Sequence, residues 1–346
     1  MRRRFQIGFI AFSVVATALS LYLWLPYDML LLQLKPLPDT IEQQLQQSVD
    51  HGLDGAVVYV SGPNRDPALY AAGWKDRLAK QPADPESLFK IASVTKLYVA
   101  AGVAKLVDAG RLGLDDTLAD HIPEAVGRIE HADQITLAML VGHRSGIPNY
   151  TDVAGYDWIN PTPGWRAALE LVAGEPALFA PGTQYRYSNT NYALLGEIIA
   201  RATGGDYTRY LRDEILAPLD LKDTFFSLAE LDRSRLTEGY VDGYEPAVSD
   251  RNYSGAAGGI IASPADTGRF LRALGDGTLL GESAQAIYLG LYDMGHTGLV
   301  PGYSTMVRYY PDTRTVVALF VNTSGGRTWG TVDVTYDRVL KILARQ

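Results

Sequence analysis

The chain begins with an apolar run that has no polar face and then settles into alternating helix-like and strand-like periods. Ile7 to Leu25 is uncharged over 19 residues. As a helix that run would reach about 28 Å, close to the ~30 Å hydrocarbon core of a bilayer. "LPDTIEQQLQQSVDHG" then spaces its apolar residues as one helical face, and "GAVVYVSGPNRDPALYAAGWK" reads as two strands around a Gly-Pro-Asn turn. In "LFKIASVTKLYVAAGVAKLVDAGRLGL" a buried stripe of Leu97, Ala101, Ala104 and Leu106 or Val107 predicts a helix, with Gly110 as its C-terminal stop.

From about 115 to 275 the pattern is helix and loop, clearest in "WRAALELVAG", "NYALLGEIIARATGG" and "YTRYLRDEILAPL". The last seventy or so residues return to strands, "YSTMVRYYPDTRTVVALFVNTSGG", and close with the helical "VDVTYDRVLKILARQ". Strands at both ends with helices between predict an α+β fold of the α/β-sandwich kind. An antiparallel sheet built from both chain ends is flanked by terminal helices, and a mostly helical lobe is inserted at about 115–275. A cleft between two such lobes is the natural place for a site. Residues 1–35 then form a signal-anchor or signal peptide with its linker, and 36–346 the folded domain.

Composition narrows the partners. The 346 residues are 47% hydrophobic and 20% charged, as in a globular protein, and the formal charge is −8. Outside Arg2, Arg3 and Arg4 there are 28 basic against 39 acidic residues, a balance of −11, which argues against nucleic acid as a partner. The basic cluster before an apolar run marks an export signal. Ala16-Thr17-Ala18 resembles a peptidase site, yet "LSLYLWL" after it stays apolar. The reading is an uncleaved anchor in the cytoplasmic membrane with the body outside, in the cell envelope; cleavage would instead give a secreted protein. The absence of cysteine removes a thiol nucleophile, disulfides and a cysteine zinc site. The five histidines form no HExxH, so no metal and no organic cofactor is implied.

Candidate chemistry starts at Ser93 and Lys96. Residues three apart on a helix share a face, so the two side chains can share a hydrogen bond. The structural alternative is an N-cap serine and a solvated lysine. With 16 Ser and 8 Lys in the chain, about 0.4 SxxK matches arise by chance, and two occur. The other, Ser87 to Lys90, lies in a segment that reads as extended, which puts its two side chains on opposite faces. "YRYSNTNYALL" adds Tyr187-Ser188-Asn189 just before a helix, where the structural alternative is a polar loop with caps. "MGHTGLVPGYSTMVRYYPD" adds His296-Thr297-Gly298 before the C-terminal strands, where Gly298 would let the backbone approach a substrate closely.

Together "SVTK", "YSN" and "HTG", with "LVGHRSGIPNYT", "APGTQYRYSNTNYALLGEII" and "GAAGGIIASPADTGRF", resemble the serine β-lactamase and penicillin-binding protein superfamily over about residues 40 to 345. The nearest branch is that of class C β-lactamases and D-alanyl-D-alanine carboxypeptidases, and the His-Thr-Gly box resembles the carboxypeptidases. The resemblance implies catalysis through an acyl-enzyme. Ser93 Oγ would attack, Lys96 would hold the proton network and keep the phenol acidic, and Tyr187 would act as general base and then acid. A tyrosine near pKa 10 needs such a neighbouring cation to serve at neutral pH. His296 would add a second charge only when protonated, so activity would fall as it titrates. The backbone N–H groups of Ser93 and Leu299 would form an oxyanion hole, Asn189 would hold the substrate's acyl-side amide, and His296, Thr297 and Gly298 would join Asn189 and Leu299 in binding the substrate.

His143 in "VGHRSGIP" reads as a loop stabiliser, since no GxSxG elbow accompanies it, with Arg144 as a loop-fixing charge and Gly258 and Gly259 as a backbone approach. Two departures bear on the substrate. The carboxypeptidases carry an arginine before the His-Thr-Gly box and a threonine after it, where they hold a carboxylate; here "AIYLGLYDMGHTGLV" has no arginine and Leu299 stands at the threonine position. Arg308 or Arg327 would have to reach in. The first reading is therefore an envelope-anchored serine hydrolase of small-molecule or peptide substrates, D-alanyl cell-wall peptides first. An esterase or β-lactamase on the same machinery is the alternative. A non-catalytic penicillin-binding sensor is a third, opposed by intact Ser93, Lys96, Tyr187 and Asn189.

Overall fold

The computed structural model describes residues 26–63, 65–161, 164–253, 255–326 and 328–345, with 12, 13, 15–17 and 20 of the N-terminal segment. The apolar run from Ile7 to Leu25 lies mostly outside the described residues, and so does Arg327. Among the described residues no helix is long and apolar enough to cross a membrane.

Strands β1 (Gly55–Gly62), β2 (Arg65–Asp76) and β3 (Gln81–Pro82) come from the N-terminal part, followed by the short β4 (Phe89–Lys90), β5 (Thr224–Phe225), β6 (Tyr240–Val241) and β7 (Ile261–Ala262). The C-terminal part supplies β8 (Gly295–Val300), β9 (Tyr303–Tyr310), β10 (Thr315–Val321) and β11 (Thr323–Ser324). The longer helices are α1 (Tyr27–Leu34), α2 (Ile41–Val49), α3 (Thr95–Asp108), α4 (Trp165–Val172), α5 (Asn189–Thr203), α6 (Pro264–Gly275), α7 (Glu282–Leu291) and α8 (Thr328–Leu343).

Six strands make one antiparallel sheet in the order β3-β2-β1-β10-β9-β8, so both chain ends meet at the β1–β10 pair, where Val58 lies opposite Leu319. Period-two alternation sorts β1 between two cores. Ala56, Val58 and Val60 join Val317, Leu319 and Val321 beneath α2 and α8. Val57 and Tyr59 face the other way, into the large core that takes in Leu97 and Val103 of α3 and Phe270 and Leu271 of α6.

Terminal helices therefore cover one face and the rest of the chain covers the other, as the sequence pattern implies. One boundary differs. The α6 helix was expected within the inserted lobe, yet it lies on the sheet against β1 and β10. Gly268 makes this possible, because a Cβ there would stand 2.1 Å from Tyr59 Cε1. The back of the sheet is clamped by Arg338 of α8, only 5% exposed. Its guanidinium donates to Gln44 Oε1 at 2.6 Å, Gln47 Oε1 at 3.0 Å, and the carbonyls of Lys35 and Pro36 at 2.9 Å each.

Candidate active site

Ser93 sits in a 3₁₀ turn, Ala92–Val94, that leads directly into α3, which begins at Thr95. Its hydroxyl caps nothing, so the N-cap alternative falls away. Ala92, just before it, takes φ +49°, an unusual conformation for a residue with a side chain and one that marks a sharp corner. Leu97 and Ala101 are buried as the stripe predicts, and Gly110 takes φ +66° just past the helix end. Lys96, one turn along, is completely buried.

The Ser93, Lys96, Tyr187 and Asn189 side chains converge. Lys96 Nζ lies 3.2 Å from Ser93 Oγ, 2.8 Å from Asn189 Oδ1 and 2.5 Å from the Ala257 carbonyl. The Tyr187 hydroxyl donates to Ser93 Oγ at 2.8 Å and stands 3.3 Å from Asn189 Oδ1. Asn189 is the hub of the group as much as a substrate ligand. It opens α5, its backbone N–H donates to Asn149 Oδ1 at 2.9 Å, and its Nδ2 donates to Thr151 Oγ1 at 3.1 Å.

The proton balance differs from expectation. Burial pushes the Lys96 ammonium well below the ordinary lysine range. Burial raises the Tyr187 phenol, only partly offset by its hydrogen bond with Ser93. Both shifts favour the uncharged forms. It is the amine that is poised to be neutral, and the phenol that keeps its proton.

Strand β8 forms the opposite wall. A two-residue turn joins Val300 to Tyr303, and Tyr309 N donates to the Met294 carbonyl at 2.9 Å in the same register. Alternate residues of such a ladder exchange both bonds with the partner, so even-numbered residues face β9. The backbone groups of Thr297 and Leu299 therefore point to the open edge of the sheet. Gly298 brings that edge against the Ser93 turn, since a Cβ there would lie 2.3 Å from the Ile91 carbonyl oxygen. The side chains of Thr297 and Leu299 are exposed on the cleft wall, Leu299 by 50%.

His296 packs beside Tyr187, ring centroids 6.1 Å apart, and lies parallel to Tyr292 at 6.0 Å. Burial first, then the Lys96 charge, holds it down to about 4. It is neutral at physiological pH, so the expected loss of a charge as it titrates near neutrality does not arise. His143, in a left-handed conformation, accepts the Ser188 N–H on Nδ1 at 3.2 Å, and its ring lies 4.6 Å from that of Tyr187. Burial holds it down to about 3. Its role in holding the Tyr187 loop matches the sequence reading.

The second SxxK pair is extended, as its pattern indicates. Lys90 lies in β4, and Ser87 Oγ donates to Asp84 Oδ2 at 3.2 Å. Arg308 lines the cleft but lies 3.3 Å from Asp293 Oδ2, an ion pair within the same wall. Sequence reasoning missed Asn149 and Thr151, which fix Asn189, and the Ala257 carbonyl, which holds Lys96. Nothing local marks an asparagine, a threonine or a carbonyl as part of a site; only the "GAAGG" run hinted at the last. The cleft around these residues encloses about 2070 Å³. Tyr150, Tyr156, Trp158, Tyr185, Tyr253 and Tyr292 give it aromatic walls.

An α+β body with helices on both faces of its sheet, and a half-buried serine and tyrosine around a buried lysine opposite an edge strand, defines the SxxK class of acyl-transfer folds. A sequence profile described as Beta-lactamase matches residues 38–292, and the chain belongs to that family. It is 30% identical over 233 residues to a Beta-lactamase of Pseudomonas fluorescens, covering 66% of this chain and 60% of that protein. It is 29% identical over 221 residues to Protein flp of Staphylococcus aureus strain MW2, covering 62% of this chain but only 44% of flp, so it spans under half the length of that relative. Among solved structures, the D-amino acid amidase of Ochrobactrum anthropi SV3 with L-phenylalanine amide superposes with a TM-score of 0.79 at 26% identity, over 88% of this chain and 97% of the amidase. The same amidase with D-phenylalanine gives 0.77 at 25%, over 88% and 98%.

Proposed function

We propose that this chain is a serine hydrolase working through an acyl-enzyme on Ser93, with D-configured acyl groups in amide linkage as substrates, D-alanyl cell-wall peptides among them. The observation that carries the reading is the 3.2 Å and 2.8 Å approach of Lys96 Nζ and the Tyr187 hydroxyl to one serine oxygen.

A neutral Lys96 has two N–H bonds and one lone pair. The N–H bonds fit Asn189 Oδ1 and the Ala257 carbonyl, which leaves the lone pair for the Ser93 proton. Ser93 Oγ then bonds to the acyl carbon as its proton passes to Lys96 Nζ, and the developing oxyanion meets the N–H groups of Ser93 and Leu299. Breakage of the acyl–nitrogen bond sends the leaving amine a proton from the Tyr187 hydroxyl, which Lys96 replaces. Water attacks the ester with the same groups working in reverse, and Ser93 regains its proton.

A second reading, an ester substrate, is favoured by one observation. Leu299 presents an apolar side chain where the carboxylate ligand was expected, and Arg308 is paired with Asp293. An uncharged leaving group suits such a wall. Anchoring of residues 1–35 in the membrane remains part of the proposal.

Intact-mass spectrometry of the full chain after exposure to a fluorescent penicillin, with Ser93→Ala alongside, tests the nucleophile. One adduct on the parent alone is expected, and an adduct on both variants removes Ser93 from the role. Release of D-alanine from an acyl-D-Ala-D-Ala peptide, of ammonia from D-phenylalaninamide, of p-nitrophenol from simple esters, and opening of nitrocefin then sort the substrates. If Ser93→Ala keeps full activity in any of them, the assignment fails.

A further inference from the structure

The short strand that delivers Ser93 carries a second lysine that this chemistry does not use. Lys90 is 2% exposed, and its head group forms no ion pair among the described residues. Nζ donates to the Arg251 carbonyl and lies 5.1 Å from the ring centre of Tyr253 and 5.4 Å from that of Tyr303. Buried lysines without a carboxylate are rare enough to require a reason.

From Lys90 the contacts run outward to the cleft. Arg251 Nη1 donates to Asn160 Oδ1 at 3.1 Å, and the Tyr253 hydroxyl donates to the Trp158 carbonyl at 3.0 Å. Two loops more than ninety residues apart in sequence are thereby stapled together, and Lys90 holds one of them from beneath. Tyr156 continues the structure, edge-on to Trp158 at 5.1 Å and to Tyr150 at 5.5 Å. Tyr150 stands between Asn149 and Thr151, the two residues that hold Asn189. The result is an aromatic arch over the Asn189 side of Ser93, where the acyl part of a substrate must lie if Asn189 takes its amide.

We propose that Lys90 is a positioning residue for substrate choice: it roots an arch of Tyr150, Tyr156, Trp158 and Tyr253 that receives a flat, apolar side chain on the acyl group. The inference rests on the serine-hydrolase reading and adds to it the class of acyl group. Edge-to-face rings leave slots that suit a further ring better than a methyl group. Charged and titratable neighbours of Lys90 are Arg233, Glu238, Asp250, Arg251, Tyr253 and Tyr303, and none of them neutralises it by direct pairing. Burial, aided by Arg233, holds the lysine down to about 7, so the bond to the Arg251 carbonyl passes from ammonium to amine as the solution becomes alkaline. Below neutrality the buried site holds an ammonium without a counter-charge, so the arch is held less firmly there than above neutrality.

Two measurements on the full chain test this. The first needs no substrate: the emission of Trp158, isolated as the difference between the parent and Trp158→Phe, is followed from pH 6 to 9. A step centred near pH 7 that vanishes in Lys90→Met is expected; no step, or a step that survives in Lys90→Met, overturns the proposal. The second compares kcat/KM for the p-nitroanilides of D-phenylalanine and D-alanine. Lys90→Met, and independently Tyr253→Phe, should lower the phenylalanine-to-alanine ratio about tenfold, with the change in the KM of the phenylalanine substrate. A ratio unmoved in both variants, or an equal loss on both substrates, overturns it. A parent that turns over neither anilide, nor any ester or β-lactam, defeats the hydrolase reading instead, and the Trp158 titration then decides for Lys90 alone.

Discussion

Gly298 lies so close to Ile91 that a single added methyl carbon would stand 2.3 Å from the Ile91 carbonyl oxygen. The contact sets the width of the gap between the Ser93 turn and the edge of β8, and so the spacing of the Ser93 and Leu299 N–H groups proposed to receive the oxyanion. Gly298→Ala must push the strand outward. A displacement near 1 Å at a reacting centre costs about 100-fold in rate. Steady-state kinetics on Gly298→Ala should show a loss of that order in kcat with the fold retained by circular dichroism. A variant with parental kcat would show that β8 does not take part.

Lys96→Met removes the proposed base while filling the same buried space. Proton transfer by a positioned group contributes about 10²–10⁴-fold, and the acylation rate measured by stopped flow should fall within that range. Tyr187→Phe keeps the ring against His143 and removes only the hydroxyl, so leaving-group departure should suffer. Its loss should therefore be larger for amides, with poor leaving groups, than for p-nitrophenyl esters. Equal losses on both would return Tyr187 to a purely structural part.

Acid stability follows from two histidines of the site, the buried His143 and the half-buried His296. His143 is held down to about 3 and His296 to about 4 in the folded chain, against about 6.5 when unfolded. Between those values the unfolded chain binds more protons, so stability is present above pH 6.5 and is lost as pH falls through the folded values. Several kcal/mol are at stake at the acid end. His143→Asn, which can still accept the Ser188 N–H, should move the midpoint of acid unfolding downward; an unchanged or higher midpoint contradicts the burial argument.

Lys90 acts in the opposite range. Its folded value of about 7 against about 10.4 unfolded means that the unfolded chain again binds the extra proton. Stability should therefore rise with pH from 7 to about 10, and the penalty is greatest below 7. Lys90→Met should raise the melting temperature at pH 6 by more than it does at pH 10. Calorimetry at the two pH values checks the difference, and an equal shift at both would show that the lysine is not titrating in the fold.

The strands and long helices were legible because they obey two simple periods. Val58 and Leu319 alternate with their neighbours as a two-sided sheet requires, and Leu97 and Ala101 recur as a buried helical face. Ser93, Lys96, Tyr187 and Asn189 were legible because each sits in a short motif with a fixed order. The parts that escaped are long-range. Thr151 reaches Asn189 across 38 positions and the Ala257 carbonyl reaches Lys96 across 161, and no local pattern records either pairing. Proton affinities escaped as well, since the depression of Lys96 comes from burial and burial is known only once the chain has folded. The misplacement of α6 has the same root: its apolar face was visible, but Gly268 shows its purpose only when Tyr59 is seen against it.

The Arg338 clamp also has a mechanical meaning. Two of its four bonds tie Lys35 and Pro36 to the closing helix α8 and two tie α2 to it, on the face of the sheet opposite the helix that carries Lys96. Any pull exerted through the residues before Pro36 enters the protein along that back plate and is shared between α2 and α8. The gap between β8 and the Ser93 turn lies off that line of force. A load applied at the N-terminal segment would drag on the protein without prying its cleft.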